Sequence, residues 1–291
     1  MATALLRVLV FGLLASGYVA FTGDEAAFED AQKQPMKLAA YEGLYKGETS
    51  AGLVAMGMIN GDKKPGDSQS PFLFEVKLPG LLSLLANREA GSFVPGIDDL
   101  VYGNAEHKVM GVAEKMKIGQ QAVADLATFK QARKDKNDAV AAEALTRFTA
   151  NKEFLGYGYL SSPEEAVPPV STSFYSFHIM VILGGLFPLI FLAFLFFTLK
   201  GNIAEQRWLL PIGVLSFFLG HVAGQMGWIV AEVGRQPWAI QGLMPVKVAT
   251  TNLAVGNVQA TFFMFLAIFT LLLIAEIKIM MKQISIGPEG L

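Results

Sequence analysis

The sequence contains no cysteine, and this absence excludes several kinds of site at once. Without thiols the chain has no disulfide framework, no cysteine-ligated zinc or iron–sulfur site and no thiol nucleophile. Charge is scarce as well, since only 16% of the 291 residues are charged and the net charge is −2. Proteins that bind nucleic acid usually carry a basic excess, so we expect no nucleic-acid partner.

Apolar residues are abundant instead, at 53% of the chain with a mean hydropathy of +0.43. This composition is typical of membrane proteins. The charges are concentrated, because residues 23–173 carry 21 of the 25 acidic and 16 of the 23 basic side chains. We therefore predict an all-α membrane protein with about four transmembrane helices and one long, mainly helical loop. The expected division is a first span at 1–22, the loop at 23–173 and a three-helix membrane region at 174–291.

Three runs without charge in the second half predict the later spans. They cover Ile179–Leu199, Trp208–Val230 and Val258–Ala275. A hydrocarbon core about 30 Å thick is crossed by roughly 20 helical residues, which each run approaches or reaches with its flanks. Within the loop, the Ala-, Lys- and Glu-rich stretch from Gly111 to Phe154 favours surface helix, and Gly61–Gly66 is typical of a turn.

The N-terminal segment has two interpretations. Behind Arg7 the run Val8 to Phe21 gives only 14 uncharged residues. With Arg7 snorkelling to the interface it can be a first transmembrane helix. Alternatively, Ala15-Ser-Gly17 is a small-residue cleavage site and the segment is a removed signal peptide.

Basic residues predict the orientation if there are four spans. Arg7, the loop with Lys200 and Arg207, and the tail with Lys278 and Lys282 then share one side. Lys and Arg are enriched on the cytoplasmic side, so the loop 23–173 is expected on the other. This predicts a multi-pass protein of the bacterial inner membrane with a periplasmic loop, in contact with membrane lipid.

Polar groups at membrane depth are costly and draw attention to the string GWIVAEVGRQPW at 227–238. Glu232 and Arg235 are three residues apart and could simply pair on one helix face. Trp228 and Trp238 could belong to an aromatic belt at the membrane surface.

This string closely resembles the signature of subunit I of the cytochrome bd quinol oxidases. The segment FYSFHIMV at 174–181 is similar to that subunit's haem-ligand segment, and QPMKLAAYE at 34–42 to the opening of its quinol-binding loop. The three motifs keep the family's order and spacing. The resemblance covers essentially this whole chain and the second half of the family's subunit.

The resemblance implies haem-binding roles for five residues. Met180 corresponds to an axial ligand of the low-spin b haem iron, and Glu232 to the axial carboxylate of the high-spin b haem iron. Arg235 would neutralise a haem propionate or Glu232 itself, and Trp228 would pack near the haems. His178 stands where the family usually has arginine, and it can still donate to a propionate.

Lys37 and Glu42 correspond to the two loop residues that the family uses at the quinol head group. Quinol oxidation releases two protons with two electrons, which suits a carboxylate that accepts a proton and a cation that holds an oxygen. The alternative is a solvated surface helix in which Glu42 pairs with Lys46 at i+4.

The family's histidine ligands for the low-spin b haem and for haem d lie in its first half, and the three histidines here do not stand in those motifs. They are His107, His178 and His221, the last of which is 11 residues before Glu232 and could share its helix face. The chain thus offers one axial ligand to each of two b haems and none to haem d.

We therefore expect an oxidoreductase subunit, encoded separately or cut from a longer gene. Its complex would oxidise quinol at the loop, pass electrons through b haems and reduce O2 to water. The expected partners are the N-terminal half of subunit I, which would share haem d, and subunit II. The alternative is a haem-free structural or interaction subunit that has kept the fold.

Overall fold

The computed structural model describes residues 2–251 and 253–287, and the chain forms two compact units, Met1–Ala249 and Thr250–Leu291. The helices of the first unit are α1 (Ala2–Lys33), α2 (Pro35–Glu42), α3 (Leu81–Asn87), α4 (Ile97–Tyr102), α5 (Val112–Lys134), α6 (Asp138–Asn151), α7 (Val170–Leu199) and α8 (Leu209–Val233). The second unit contains α9 (Val255–Ile286). Short 3₁₀ turns cover Lys152–Tyr159, Pro163–Ala166, Ile203–Glu205 and Val246–Val248.

Three small antiparallel pairs complete the described part of the first unit. They join β1 (Glu48–Thr49) to β4 (Phe93–Val94), β2 (Leu53–Ile59) to β3 (Phe72–Leu78), and β5 (Trp238–Ile240) to β6 (Met244–Pro245). The predicted turn at 61–66 lies in the β2–β3 connection. The hairpin itself was not predicted, because two seven-residue strands are too short for their periodicity to distinguish them from helix.

Among residues 2–251 and 253–287, four helical stretches are long and apolar enough to cross a membrane. They are Ala4–Lys33, Pro163–Leu199, Leu209–Val233 and Val255–Ile286. This confirms the prediction of an all-α membrane protein with four spans. The apolar side chains of these stretches are largely exposed, as expected where lipid or further helices cover them.

Helix α1 continues beyond residue 22, the predicted end of the first span, and ends only at Lys33. Gln34 interrupts the helix with φ −135° and ψ 52°, and Pro35 opens α2. Proline disfavours helical backbone in the residue before it and lacks an N–H, so the chain changes direction here. We call residues 34–169, between α1 and α7, the connecting segment.

Helix α2 lies between the rest of the connecting segment and the ends of two apolar helices. On one side, Met36 and Ala39 share a buried cluster with Trp238, which follows α8. On the other, Leu38 and Tyr41 pack with Val230 of α8. Tyr41 also stacks on Phe177 of α7, with ring centroids 4.2 Å apart. The connecting segment is therefore anchored where α7 begins and α8 ends.

Candidate functional site

The predicted haem ligands lie on two packed helices. Helices α7 and α8 are joined by a short connection and pack against each other, so the beginning of α7 meets the end of α8. At this end the sulfur of Met180 lies 3.0 Å from the point that a β-carbon on Gly227 would occupy. Glycine at 227 therefore leaves the space that the thioether uses.

Glu232 and Arg235 form an ion pair at the end of α8. Nη2 of Arg235 lies 2.7 Å from Oε2 of Glu232, and the two side chains are 37% and 46% exposed. Nε of Arg235 is buried and has no hydrogen-bond partner among the described residues. Trp228, one turn before Glu232, is 67% exposed. The pairing considered from sequence is present, but it leaves one guanidinium donor unsatisfied.

These residues fit the haems that the sequence implies. The described residues contain no group of three or more His, Asp and Glu side chains that could hold a bare metal ion. A haem iron needs only one or two axial ligands from the protein; a thioether is one of the usual ligands, and a carboxylate is the ligand that the resemblance implies for Glu232. The unsatisfied Nε of Arg235 is a donor suited to a propionate.

Lys37 is held by a carboxylate that sequence reasoning missed. Its Nζ lies 3.1 Å and 3.2 Å from the two carboxylate oxygens of Asp30 on α1. Its Cγ lies 3.3 Å from the position of a β-carbon on Gly234, between Glu232 and Arg235. A spacing of seven residues would place Asp30 and Lys37 on one face of a continuous helix. Because Pro35 interrupts the helix between them, the sequence did not predict this pair.

Glu42 is buried, with 2% of the residue exposed. Its Oε2 accepts a weak hydrogen bond from the N–H of Val54 at 3.5 Å, and no described side chain forms an ion pair with it. Burial raises the pKa of Glu42 from its ordinary value of 4.5 to about 8, and the Val54 N–H opposes this rise. The alternative of a solvated helix with a Glu42–Lys46 pair is therefore wrong.

The two predicted quinol residues do not share a face of α2. They are five residues apart, which corresponds to about 140° around a helix of 3.6 residues per turn. Lys37 is directed to Asp30 and Gly234, whereas Glu42 is directed to Val54 of β2. A single ligand that contacts both side chains therefore has to reach around the helix.

His178 has both ring nitrogens at backbone carbonyls. Nδ1 lies 2.9 Å from the oxygen of Phe174 and Nε2 lies 2.8 Å from the oxygen of Val54. Three residues earlier, the hydroxyl of Tyr175 accepts a hydrogen bond from the N–H of Ile59 at 3.1 Å. Sequence alone could not place His178 at Val54, because the two are 124 residues apart.

The other residues considered from sequence lie elsewhere. His221 is exposed on α8, and His107 stacks on Phe93 with ring centroids 3.6 Å apart. Trp238 is only 3% exposed and packs edge-on against Tyr157 at 4.8 Å. Burial in this core excludes Trp238 from an aromatic belt at the membrane surface.

A cavity of about 280 Å³ lies beside the start of α2. Its walls include Met36, Lys115, Tyr157 and Trp238. The Lys115 ammonium lies 5.5 Å from the ring centroid of Tyr157, and burial lowers the pKa of this lysine. Neither Lys37 nor Glu42 lines the cavity.

The motifs and their placement at one end of α7 and α8 agree with a comparison against known families. The family model for "Cytochrome bd terminal oxidase subunit I" matches residues 1–288. This chain belongs to the cytochrome bd terminal oxidase subunit I family.

Individual relatives of the cytochrome bd family match nearly all of the chain. Cytochrome bd-II ubiquinol oxidase subunit 1 of Escherichia coli (strain K12) is 32% identical over 97% of this chain and 54% of its own length. Cytochrome bd ubiquinol oxidase subunit 1 of Bacillus subtilis (strain 168) is 26% identical over 97% of this chain and 48% of its own length. The chain thus spans about half the length of the curated relatives it matches.

The fold is also that of a solved cytochrome bd structure. The bd oxidase structure from Geobacillus thermodenitrificans aligns with a TM-score of 0.58, at 19% identity. The alignment covers 99% of this chain and 56% of the other. At this identity the likeness shows the fold alone.

Proposed function

We propose that this chain forms the quinol-oxidising and part of the haem-binding region of a cytochrome bd-type quinol oxidase. The observation that carries the proposal is the buried carboxyl of Glu42, with a pKa of about 8. It lies on the helix that packs against the ends of α7 and α8, where Met180, Glu232 and Arg235 lie. A proton acceptor with a pKa near neutral, on a helix that packs against the two helices with the candidate haem ligands, suits the oxidation of quinol.

Quinol oxidation releases two protons together with two electrons; Glu42 accepts one of the protons, and the water outside the membrane takes the other. The carboxylate form of Glu42 accepts a hydroxyl proton, and its raised pKa matches the acceptor to neutral pH. Lys37 binds a quinol oxygen with its ammonium group, and Asp30 holds that group at the end of α8. Because the two side chains point to different sides of α2, we assign them to two distinct contacts with the quinol.

Four residues at the same end of α7 and α8 would hold the two b haems. Met180 offers a soft, neutral thioether to the low-spin b haem, which favours ferrous iron. Glu232 offers a hard carboxylate to the high-spin b haem, Arg235 offers its buried Nε to a propionate, and Trp228 packs beside them. When bound, these haems and haem d would accept the electrons of quinol and reduce O2 to water. A haem contact for His178 stays a prediction from sequence.

The remaining ligands belong to partners in this proposal. In the family, the N-terminal half of subunit I supplies the ligand of haem d and the second axial ligand of the low-spin b haem. Subunit II completes the complex. We propose that the complex lies in the bacterial inner membrane with the connecting segment in the periplasm. Membrane lipid and quinol are its other partners.

The Glu232–Arg235 pair favours one alternative, in which the chain is a haem-free structural subunit. There the two charges neutralise each other and need no haem. Absorption spectra of the purified complex distinguish the two functions, because only the oxidase carries haem bands that shift on reduction.

The proposed function is tested with Glu42→Gln and Lys37→Gln in the assembled oxidase. We expect Glu42→Gln to lose at least about tenfold in quinol-driven oxygen uptake, as is usual for loss of a general base, and Lys37→Gln to lose activity because it binds the quinol oxygen less well. Their haem spectra and their oxygen uptake with an artificial electron donor should stay normal. Glu106→Gln, the same change at an exposed loop position, is the matched control.

Labelling with a photoreactive quinone locates the head group independently. Labels within residues 34–54 support the proposal. Labels confined to the cavity walls around Lys115 and Tyr157 would move the quinol site there, and equal loss of activity with both electron donors would indicate misfolding.

A further inference from the structure

The hairpin β2–β3 covers the residue that the proposed function uses as its proton acceptor. Glu42 ends α2 and is followed by Gly43, whose backbone is left-handed with φ +64°. A β-carbon on Gly43 would lie 2.7 Å from the Phe72 ring of β3 and 3.3 Å from Ile59 of β2. The hairpin therefore packs directly against the end of α2, and this contact excludes water from the carboxyl.

Two side chains of α7 form hydrogen bonds to the backbone of the same hairpin. His178 meets the carbonyl of Val54 at the start of β2, and the hydroxyl of Tyr175 accepts the N–H of Ile59 at its end. Apolar contact accompanies both bonds, because Phe174 is fully buried in a cluster with Val54 and Ile59. Strand β2 is thus held on the segment of α7 that leads to Met180.

Val54 connects the carboxyl of Glu42 to His178 on α7. Its N–H faces the carboxylate of Glu42 at 3.5 Å, and its carbonyl oxygen lies 2.8 Å from Nε2 of His178. A carbonyl oxygen can only accept and a neutral imidazole carries one N–H, so the neutral ring donates either to Val54 from Nε2 or to Phe174 from Nδ1, whereas the cation donates to both. The burial of Glu42 therefore depends on how firmly α7 holds β2.

We propose that His178 and Tyr175 are positioning residues that act through β2 to keep the carboxyl of Glu42 buried and aligned. The consequence for turnover rests on the proposed role of Glu42 in quinol oxidation. The titratable groups on the elements around this carboxyl are Tyr41 on α2, His178 and Tyr175 on α7, and Glu75 and Lys77 on β3, where Lys77 is the strand partner of Val54. Strand β2 contributes none.

The direct test measures the hairpin and the carboxyl in the assembled complex, apart from activity. Hydrogen exchange of residues 53–59 reports how firmly β2 is held. The infrared carbonyl band that disappears in Glu42→Gln reports the titration of Glu42. In His178→Phe we expect exchange about fivefold faster, the effect of one lost hydrogen bond, and a lower pKa for Glu42 as water enters.

Companion variants separate positioning from general damage. His178→Gln keeps an N–H donor near Nε2 and should restore slow exchange. Tyr175→Phe removes one oxygen and should speed exchange only at the Ile59 end, which tests the proposal even if His178→Phe fails to fold. His107→Phe makes the same change on the connecting segment away from β2 and is the matched control.

Unchanged exchange and an unchanged Glu42 titration in both His178→Phe and Tyr175→Phe would overturn the proposal. A faster-exchanging hairpin with a shifted Glu42 titration supports it. If quinol turnover nevertheless stays normal, the positioning role holds and the proposed role of Glu42 in quinol oxidation fails.

Discussion

Glu42 shows how one buried residue can make stability depend on pH. Between its ordinary pKa of 4.5 and its folded-state pKa of about 8, the folded chain keeps a proton that the unfolded chain has released. The unfolded state binds fewer protons over this window, so the free energy of unfolding falls as pH rises. The contribution of Glu42 to stability is greatest below pH 4.5 and is lost progressively as the pH rises toward about 8.

This dependence gives a prediction for Glu42→Gln, in which the side chain cannot ionise. The wild-type complex should lose up to about 1.4 kcal/mol per pH unit from this group across the window, whereas the variant should not. Thermal unfolding midpoints between about pH 5 and 8 measure the difference. If Glu106→Gln flattens the profile equally, burial of Glu42 is not the cause.

At the residue scale, Met180→Leu tests whether Met180 is a ligand of the low-spin b haem. The change keeps volume and apolarity while it removes the sulfur, so stability should change by less than about 1.5 kcal/mol. In the assembled oxidase the low-spin b haem band should disappear or its potential should fall. An unchanged reduced-minus-oxidised spectrum would remove the assignment of Met180.

At the scale of elements, the contact between α7 and α8 depends on the absence of one side chain. A β-carbon at 227 would lie 3.0 Å from the Met180 sulfur, whereas at Gly224, one turn earlier, nothing lies within 4 Å. The two glycines therefore make a matched pair for substitution on one helix.

We predict that Gly227→Ala displaces Met180 and weakens the low-spin b haem band, while Gly224→Ala leaves it normal. Overpacking of this kind usually costs about 1–3 kcal/mol, which is enough to shift a side chain. Reduced-minus-oxidised spectra of both variants check the result. Equal spectra would mean that Met180 does not depend on the space at Gly227.

The break between α1 and α2 is a second feature of this scale. Pro35 redirects the chain just after Asp30, and the redirected helix places Lys37 back against both Asp30 and Gly234. The proline could be recognised from the sequence. The return contact could not, because it depends on the angle at which α2 meets α8.

At the scale of the whole molecule, the number of haem ligands decides what the chain can do alone. In the proposed function, Met180 and Glu232 would offer one axial ligand to each of two b haems. The chain also leaves the pair Glu232–Arg235 partly exposed in an apolar region. The pair lies at the end of α8, where a charge costs less than the roughly 2.5–3.5 kcal/mol of the bilayer centre, so the missing haem ligands are the stronger reason for partners.

We therefore predict that these 291 residues, expressed by themselves, are poor in haem, unstable in detergent and inactive toward oxygen. Co-expression with the other half of subunit I and with subunit II should restore haem content and oxidase activity. Haem content per polypeptide and oxygen uptake with quinol measure this. Stoichiometric haem in the chain purified alone would falsify the dependence on partners.

The sequence by itself determined the features that depend on composition and on local order. Runs without charge predicted four membrane helices, because a hydrocarbon core excludes ionised groups over about 20 residues. The motifs around Met180, Glu232 and Glu42 predicted the family, because each depends on residue types at short spacings. These predictions needed no knowledge of which helices touch.

The tertiary structure alone decided the contacts between distant residues. It buried Glu42 under a hairpin that no periodicity had predicted, and it placed His178 against Val54, 124 residues away. It also buried Trp238, for which the sequence had left a membrane belt open, in a packed core. The physical reason is that burial and pKa depend on what packs over a residue, which short-range spacing does not encode.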